Sequence, residues 1–260
     1  MFQDFALQHG LIIDHLIFDR WVRVKTLDKP SKKNGAYIFD GRFGSIINFA
    51  THECHISYRE DASYVPTAQD KIKREEANLE RIKRQEEAKR KASYIMRSAV
   101  LACHPYLIRK GFEDKGYVWN SLLILPMRIE NRLVGCQMIA EDGTKRFLSG
   151  QITKGASLVI DNKGKDIICE GFATAMSVRR VLKHLKLRYK IHVCFSASNM
   201  IEIAKNLKDP LVIADNDPVG VKTAKKIASC YWVGEAGEDF NDAELRLGTA
   251  GVADSLRAFF

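Results

Sequence analysis

The chain has 260 residues, 46% of them apolar, and carries 41 Lys and Arg against 32 Asp and Glu, a formal net charge of +9. That is enough for one large domain or two to three small ones with a packed core, and the cationic surplus suits a polyanionic partner. The longest apolar runs are strand-sized, so neither a membrane span nor a secretory signal is legible and the cytosol is the expected compartment. The nearest two of the six cysteines, Cys169 and Cys194, are 25 residues apart. This excludes a C-x-x-C zinc ribbon, and no structural zinc is expected.

Residues 1–19 predict a short helix or strand. Val22 and Val24 then alternate with Arg23 and Lys25, the pattern of a half-buried strand. Strands over 36–39 and 45–49 flank the turn signal Asp40-Gly41, and a fourth is expected over 52–58. Residues 1–65 thus predict a small β-rich domain. Its cations Arg20, Arg23, Lys25, Lys32, Lys33 and Arg42 suit a template strand and equally a solvated sheet face. His52-Glu53-Cys54-His55 offers metal-type side chains, but alternation puts His55 opposite His52 and Cys54, with no second ligand pair near.

Pro66 and Thr67 open a long helix expected over 66–102. Between Asp70 and Lys91 it holds nine basic and six acidic residues and no Gly or Pro. Glu80–Arg84, Glu86–Arg90 and Glu87–Lys91 stand at i,i+4 with the acid first. Ile72, Leu79 and Ile82 give only a thin apolar stripe, which predicts a solvated spacer, whereas Ile95 to Leu101 predict a docked end. Residues 103–155 form an α+β subdomain: Pro105 starts or ends a helix, Gly111 offers a C-cap, and strands follow over 122–128, 133–140 and 145–148. Pro126 predicts an edge or a bulge. Lys145, Arg146 and Lys154 flank the loop FLSGQITKG, where glycine and cations together suit phosphate.

Residues 156–260 alternate strands and helices. Ile167–Cys169 ends at Glu170, Leu211–Ala214 ends at Asp215 and Asp217, and EDFND adds Asp239 and Asp242. Helices are expected over 173–185, from Ser198 and Asn199 to 207, over 219–229, and after 245. Acids at the carboxyl ends of neighbouring parallel strands converge on one crevice. Like charges so gathered need a counter-charge, and hard oxygen donors suit Mg²⁺ or Mn²⁺.

E-G-x-A-T-A at 170–175, D-x-D at 215–217 and D-F-N-D at 239–242, in that order, resemble the Toprim domain of DNA primases of the phage and plasmid type. The likeness extends up to H-P-Y-L-x-x-K-G at 104–111 and more loosely to G-A-Y with its D-G turn near the start. It implies a Rossmann-like Toprim core preceded by an antiparallel β subdomain, the long helix and the β-rich domain. It also implies a phage- or plasmid-encoded enzyme of the bacterial cytoplasm that builds short RNA primers on single-stranded DNA from NTPs, beside a separate replicative helicase. Indeed no Walker A loop is present. Glu170, Asp215 and Asp217 become catalytic, with Asp239 and Asp242 completing the metal ligands. Whether Glu170 is an acid–base group or a ligand stays open. Lys110, Lys145, Arg146 and Lys154 become the nucleotide and template contacts, and Lys110 is turned toward the acids by the resemblance alone. Thr174 stands where housekeeping primases often carry a further acid, so a site with fewer carboxylates is implied. A Toprim-type nuclease and a non-catalytic ssDNA-binding accessory are the competing readings. A topoisomerase is a weaker reading, since it needs a positioned Tyr nucleophile and further domains for which the chain has little room.

Overall fold

The structure, a computed structural model, describes residues 1–52, 54–60 and 68–260. It divides into two compact units, residues 1–73 and 74–260. In the first, helix α1 (Phe2–Gln8) precedes strands β1 (Leu11–Ile12), β2 (Val22–Thr26), β3 (Gly35–Phe39), β4 (Phe43–Asn48) and β5 (Ile56–Arg59). The strands pair in chain order, all antiparallel. One face of the sheet receives α1: Phe2 stacks on Phe39 at 4.3 Å and packs on Tyr37 and Tyr58. Gly44 leaves the space that the Phe2 ring occupies. The expected meander is present. His52 does not face outward for a metal: its Nδ1 accepts from the Asn48 amide at 3.0 Å and fixes the turn. Glu53 and the expected helix start at Pro66 and Thr67 lie outside the described residues.

Helix α2 (Ala68–Ser98) carries the exposed stripe Ile72, Leu79 and Ile82. Glu80 pairs with Arg84 as its spacing requires, and Glu86 pairs with Lys89 at 2.6 Å. The last turns bury Ala92 and Ile95 against Ile124, Cys136 and Leu148. The helix stops at Ser98, not 102. From Val100 the backbone leaves the helical ladder and pairs antiparallel with another strand, where a β-branched residue is at home. This strand, β6 (Val100–Ala102), is the edge of a sheet with β7 (Gly116–Trp119), β8 (Leu122–Ile129), β9 (Arg132–Ile139) and β10 (Lys145–Phe147), in the order β10-β9-β8-β7-β6. Pro126 lies beyond the pairs that β7 makes with β8, and a register shift follows at Met127/Arg128. Its missing N–H therefore costs the ladder nothing. Helix α3 (Pro105–Arg109) bridges β6 and β7, with Pro105 in its first turn.

The third sheet contains β11 (Leu158–Asp161), β12 (Lys165–Cys169), β13 (Tyr189–Val193), β14 (Leu211–Ala214) and β15 (Tyr231–Val233), ordered β11-β13-β12-β14-β15. β12 is parallel to both neighbours, β14 to β15, and β11 alone runs antiparallel. Strand alternation sorts the core. Ile167 and Cys169 pack toward α4 (Phe172–His184) and α7 (Phe240–Arg257), and Ile168 packs toward α5 (Ala197–Ala204) and α6 (Pro218–Ile227). This is a three-layer, doubly wound sheet. Leu123, Leu125 and Ile139 of the antiparallel sheet share a core with Tyr106, Ala173 and Met176, so the second and third sheets form one body. Cys169 and Cys194 are buried in this core. Cys136 is buried too, and Cys54, Cys103 and Cys230 are exposed. β11 was not expected, because a four-residue edge strand alternating half-buried and exposed residues carries little signal. The cap of α5 is Ser196, not Ser198: its Oγ accepts from the Asn199 amide, while the Asn199 side chain bonds Ala156 and Cys194 carbonyls. α7 starts at Phe240, earlier than expected, and breaks at Gly248 (φ 72°, ψ 164°), where only glycine is unstrained. Among the described residues no helix is long and apolar enough to cross a membrane.

Candidate active site

From β12 the chain passes to β13 on one side and returns to β14 on the other. The carboxyl ends of β12 and β14 therefore flank the point where the strand order reverses, the place where open α/β sheets take ligands. Cys169 pairs with Ile213, so Glu170 and Asp215 leave adjacent strands side by side. They open into a cleft of about 320 Å³. Its acidic wall is Glu170, Asp215 and Asp239, with Gly171 and Thr174 from the start of α4. Its cationic wall is Arg109 and Lys110 from the α3 segment and Lys145 from β10. Tyr106, Asp142, Gly143 and Ala173 complete the lining.

Electrostatics follow from this crowding. Burial and then the Glu170, Asp239 and Asp217 charges push Asp215 up to about 7, against the pull of Lys145. Burial and then Asp217 raise Glu170, again opposed by Lys145. Asp215 Oδ1 is buried and accepts no hydrogen bond. Tyr106 is pushed up to about 12 by burial and the charge of Asp239, so it enters the cleft as a neutral phenol.

Each acid is fixed by its element. Asp217 caps α6: its Oδ1 accepts from the Gly220 amide at 2.6 Å, with Pro218 next in line. Gly220 is required there, because a Cβ would run into the Asp215 carbonyl oxygen. Asp239 caps α7 in a reciprocal box with Asp242, whose amide donates to Asp239 Oδ1 at 2.8 Å. Lys110 Nζ donates to Asp242 at 3.4 Å and stands 4.0 Å from Asp239. Its backbone is held from below. Asn241 Nδ2 donates to the Lys110 carbonyl at 3.0 Å and Arg180 Nη1 to the Gly111 carbonyl at 2.7 Å. Arg180 in turn donates twice, at 2.6 Å, to Glu244, which is only 2% exposed. His104 anchors the other end of the segment. Its Nδ1 accepts from the Tyr106 amide and its Nε2 faces the Ser121 carbonyl, which only accepts, so the ring is protonated at Nε2.

The structure thus gathers Glu170, Asp215, Asp239, Lys110 and Lys145 in one cleft and sets Asp217 and Asp242 at helix caps beside it. It does not gather Arg146 and Lys154. Alternation turns Arg146 away from the side that Lys145 faces, and Lys154 is exposed, 3.7 Å from Glu202 on α5. Lys145, two residues before the FLSGQITKG loop, lines the cleft, and no residue of the loop itself does. Tyr106, Arg109, Asp142 and Gly143 were missed. The Asp142-Gly143 turn is a visible signal, and its pairing with α3 across more than thirty residues is not.

For Mg²⁺ the donor chemistry fits: hard carboxylate oxygens, one of them buried and unpartnered, in mutual repulsion that a cation would relieve. Among the described residues no three His, Cys, Asp or Glu side chains form a ready cage.

These features define a doubly wound α/β domain with an acid-lined, cation-faced cleft at its switch point. No protein-family model and no curated protein sequence matches the chain. Among solved structures it is similar to a chain of the bacteriophage T7 lagging-strand DNA polymerase structure with primase domains bound to an RNA/DNA hybrid and dTTP. That overlap is at 14% identity, over 60% of this chain and 90% of that one, with a TM-score of 0.43. It is also similar to the primase fragment of the bacteriophage T7 primase-helicase protein, at 13% identity, over 58% of this chain and 68% of that one, with a TM-score of 0.40. Overlap at this level decides neither fold nor activity.

Proposed function

We propose that the protein is a DNA primase with a Toprim-type core, synthesising short RNA primers on single-stranded DNA by Mg²⁺-dependent nucleotidyl transfer in phage or plasmid replication. The observation that carries this reading is the two-walled cleft: repelling carboxylates at adjacent strand ends face three cations across a space sized for a nucleotide. Nucleotidyl transfer needs both walls, one at the attacking 3′-hydroxyl and one at the departing pyrophosphate.

Glu170 and Asp215, leaving adjacent strand ends, would hold the metal, with Asp217, Asp239 and Asp242 beside them. When bound, Mg²⁺ neutralises triphosphate charge and acidifies the hydroxyl. Asp215 Oδ1, without a hydrogen-bond donor of its own, is the acceptor left open in the cleft. Glu170, its proton affinity raised by burial, takes the hydroxyl proton or shares the ion. Lys110, Lys145 and Arg109 bind the phosphates, and Lys110 exchanges its contacts with Asp239 and Asp242 for phosphate oxygen as substrate enters. Tyr106, held as a neutral phenol, would donate a hydrogen bond to an oxygen of the substrate. Unwinding falls to a separate helicase, and the expected setting is the bacterial cytoplasm.

Incubation with ssDNA, labelled NTPs and Mg²⁺ tests the reading. Oligoribonucleotides that disappear in Asp215→Asn support it. Cleaved DNA would instead make the protein a nuclease, and neither product would make it a binding accessory.

A further inference from the structure

The outer face of the first unit's sheet, opposite α1, combines four exposed or half-exposed rings with cations. Trp21, 49% exposed, lies 4.8 Å from the His55 ring. Phe49, 45% exposed, lies under the Arg23 guanidinium, 4.3 Å from ring centroid to Cζ. Arg23 is held flat there, because its Nε and Nη2 both donate to the Lys33 carbonyl at 3.1 and 2.8 Å. Lys25 follows on the same face of β2, and Arg59 of β5 stands over the Phe43 ring at 5.4 Å.

The register shows that these groups belong to one surface. Arg23 pairs with Ala36, Ala36 with Ile47, and Ser45 with Ser57, so the outward positions of β2 to β5 run in continuous rows. Outward positions carry cations at Arg23, Lys25 and Arg59 and no acid. Ala36 and Ile47, between the rings, are buried and give an apolar floor. A merely solvated sheet face has no reason to expose large rings or to clamp an arginine flat upon one.

We infer that this face is a binding surface for single-stranded nucleic acid, with bases stacked on Trp21, His55 and the Arg23–Phe49 pair and phosphates beside Lys25 and Arg59. Unpaired bases offer open π-faces to such rings, and the cations follow the backbone. A duplex hides its base faces, so the surface selects single strands. The inference does not depend on the reaction in the acidic cleft.

Titration of the full-length protein with oligo(dT) or oligo(U) of about 20 nucleotides, in EDTA, tests it through tryptophan emission. Trp232 is buried and Trp119 half-buried, so Trp21 is the reporter. Emission should be quenched to saturation. Trp21→Ala should abolish the quenching, and Trp21→Ala or Phe49→Ala should weaken anisotropy-measured affinity about fivefold to 150-fold. Trp21→Phe keeps a ring and should retain most of the affinity, which separates stacking from misfolding. Lys25→Gln should lower the salt slope by about 0.7. Asp215→Asn, and Lys110→Ala with Lys145→Ala, should leave the quenching unchanged, so failure of the cleft reading is seen separately. Unaltered affinity in both alanine variants would overturn the inference, as would a 20-base-pair duplex bound as tightly as the single strand.

Discussion

Replacing Asp215 by Asn should destroy activity and make the metal-free protein more stable. In the folded chain Asp215 titrates near 7 rather than at 3.8, because burial and three neighbouring acids oppose its charge. Its folded value is raised, so between these two values the native state holds a proton that the unfolded chain has lost. Stability therefore falls as pH rises from about 4 to about 7, and the penalty is complete above 7 and absent below 4. A tenfold change in proton affinity is worth about 1.4 kcal/mol, so ionised Asp215 costs the fold up to about 4 kcal/mol. An amide of the same shape removes that cost. Thermal melts in EDTA at pH 8 should put Asp215→Asn above the parent by up to about 8–16 °C for a body of this size, and the gap should close near pH 4. Mg²⁺ should raise the parent and leave the variant unmoved. A variant that melts at or below the parent at pH 8, or a gap that is the same at both pH values, would refute the repulsion drawn between β12 and β14.

Arg180→Ala leaves Glu244 buried without its partner and should cost about 3–5 kcal/mol in urea unfolding; Arg180→Met combined with Glu244→Leu should recover much of it. Gly220→Ala forces a methyl onto the Asp215 carbonyl and should cost about 1–3 kcal/mol while lowering activity, measurable on the same preparation by melting and primer synthesis. Lys110→Gln should lower kcat/KM for NTP by about tenfold or more, as loss of a charged phosphate contact does, with a melt near that of the parent; a variant with full kcat/KM would remove Lys110 from the phosphate wall.

The acidic wall was legible because each acid follows a short apolar strand and precedes a helix, a local signal. Strand identity at 167–169 and 211–214 came from the same punctuation. The functions of Asp217 and Asp239 were only half legible. Asp-Pro before a helix and D-x-x-D at its start are capping signals as much as ligand signals, and both acids do cap helices. Of the cationic wall, Lys145 was read from its loop and Lys110 from the resemblance, and Arg109 was illegible. Arg109 meets the Asp142-Gly143 turn only because α3 docks on the β8–β9–β10 sheet, and Arg180 finds Glu244 64 residues away. The end of α2 was misplaced because Val100-Leu101-Ala102 is apolar enough for a docked helix, and only its partner β7 makes it a strand. Lys154 lies outside the cleft because nearness in sequence to the acidic core does not mean nearness in space.

The distribution of thiols turns this architecture into a chemical gauge. Cys54, Cys103 and Cys230 are exposed, one in the first unit and two in the second. Burial pushes Cys136 up to about 11 and raises Cys169 well above an ordinary thiol, and Cys194 is raised by the same cause. A thiol held protonated reacts only when its surroundings open. Cys169 precedes Glu170 in the chain and bonds weakly to the carbonyls of Gly171 and His192. Alkylation of the native protein should therefore stop at three groups. The rate at which Cys169 and Cys194 react would time the opening of the floor beneath the acidic wall, while Cys136 would time the core under α2.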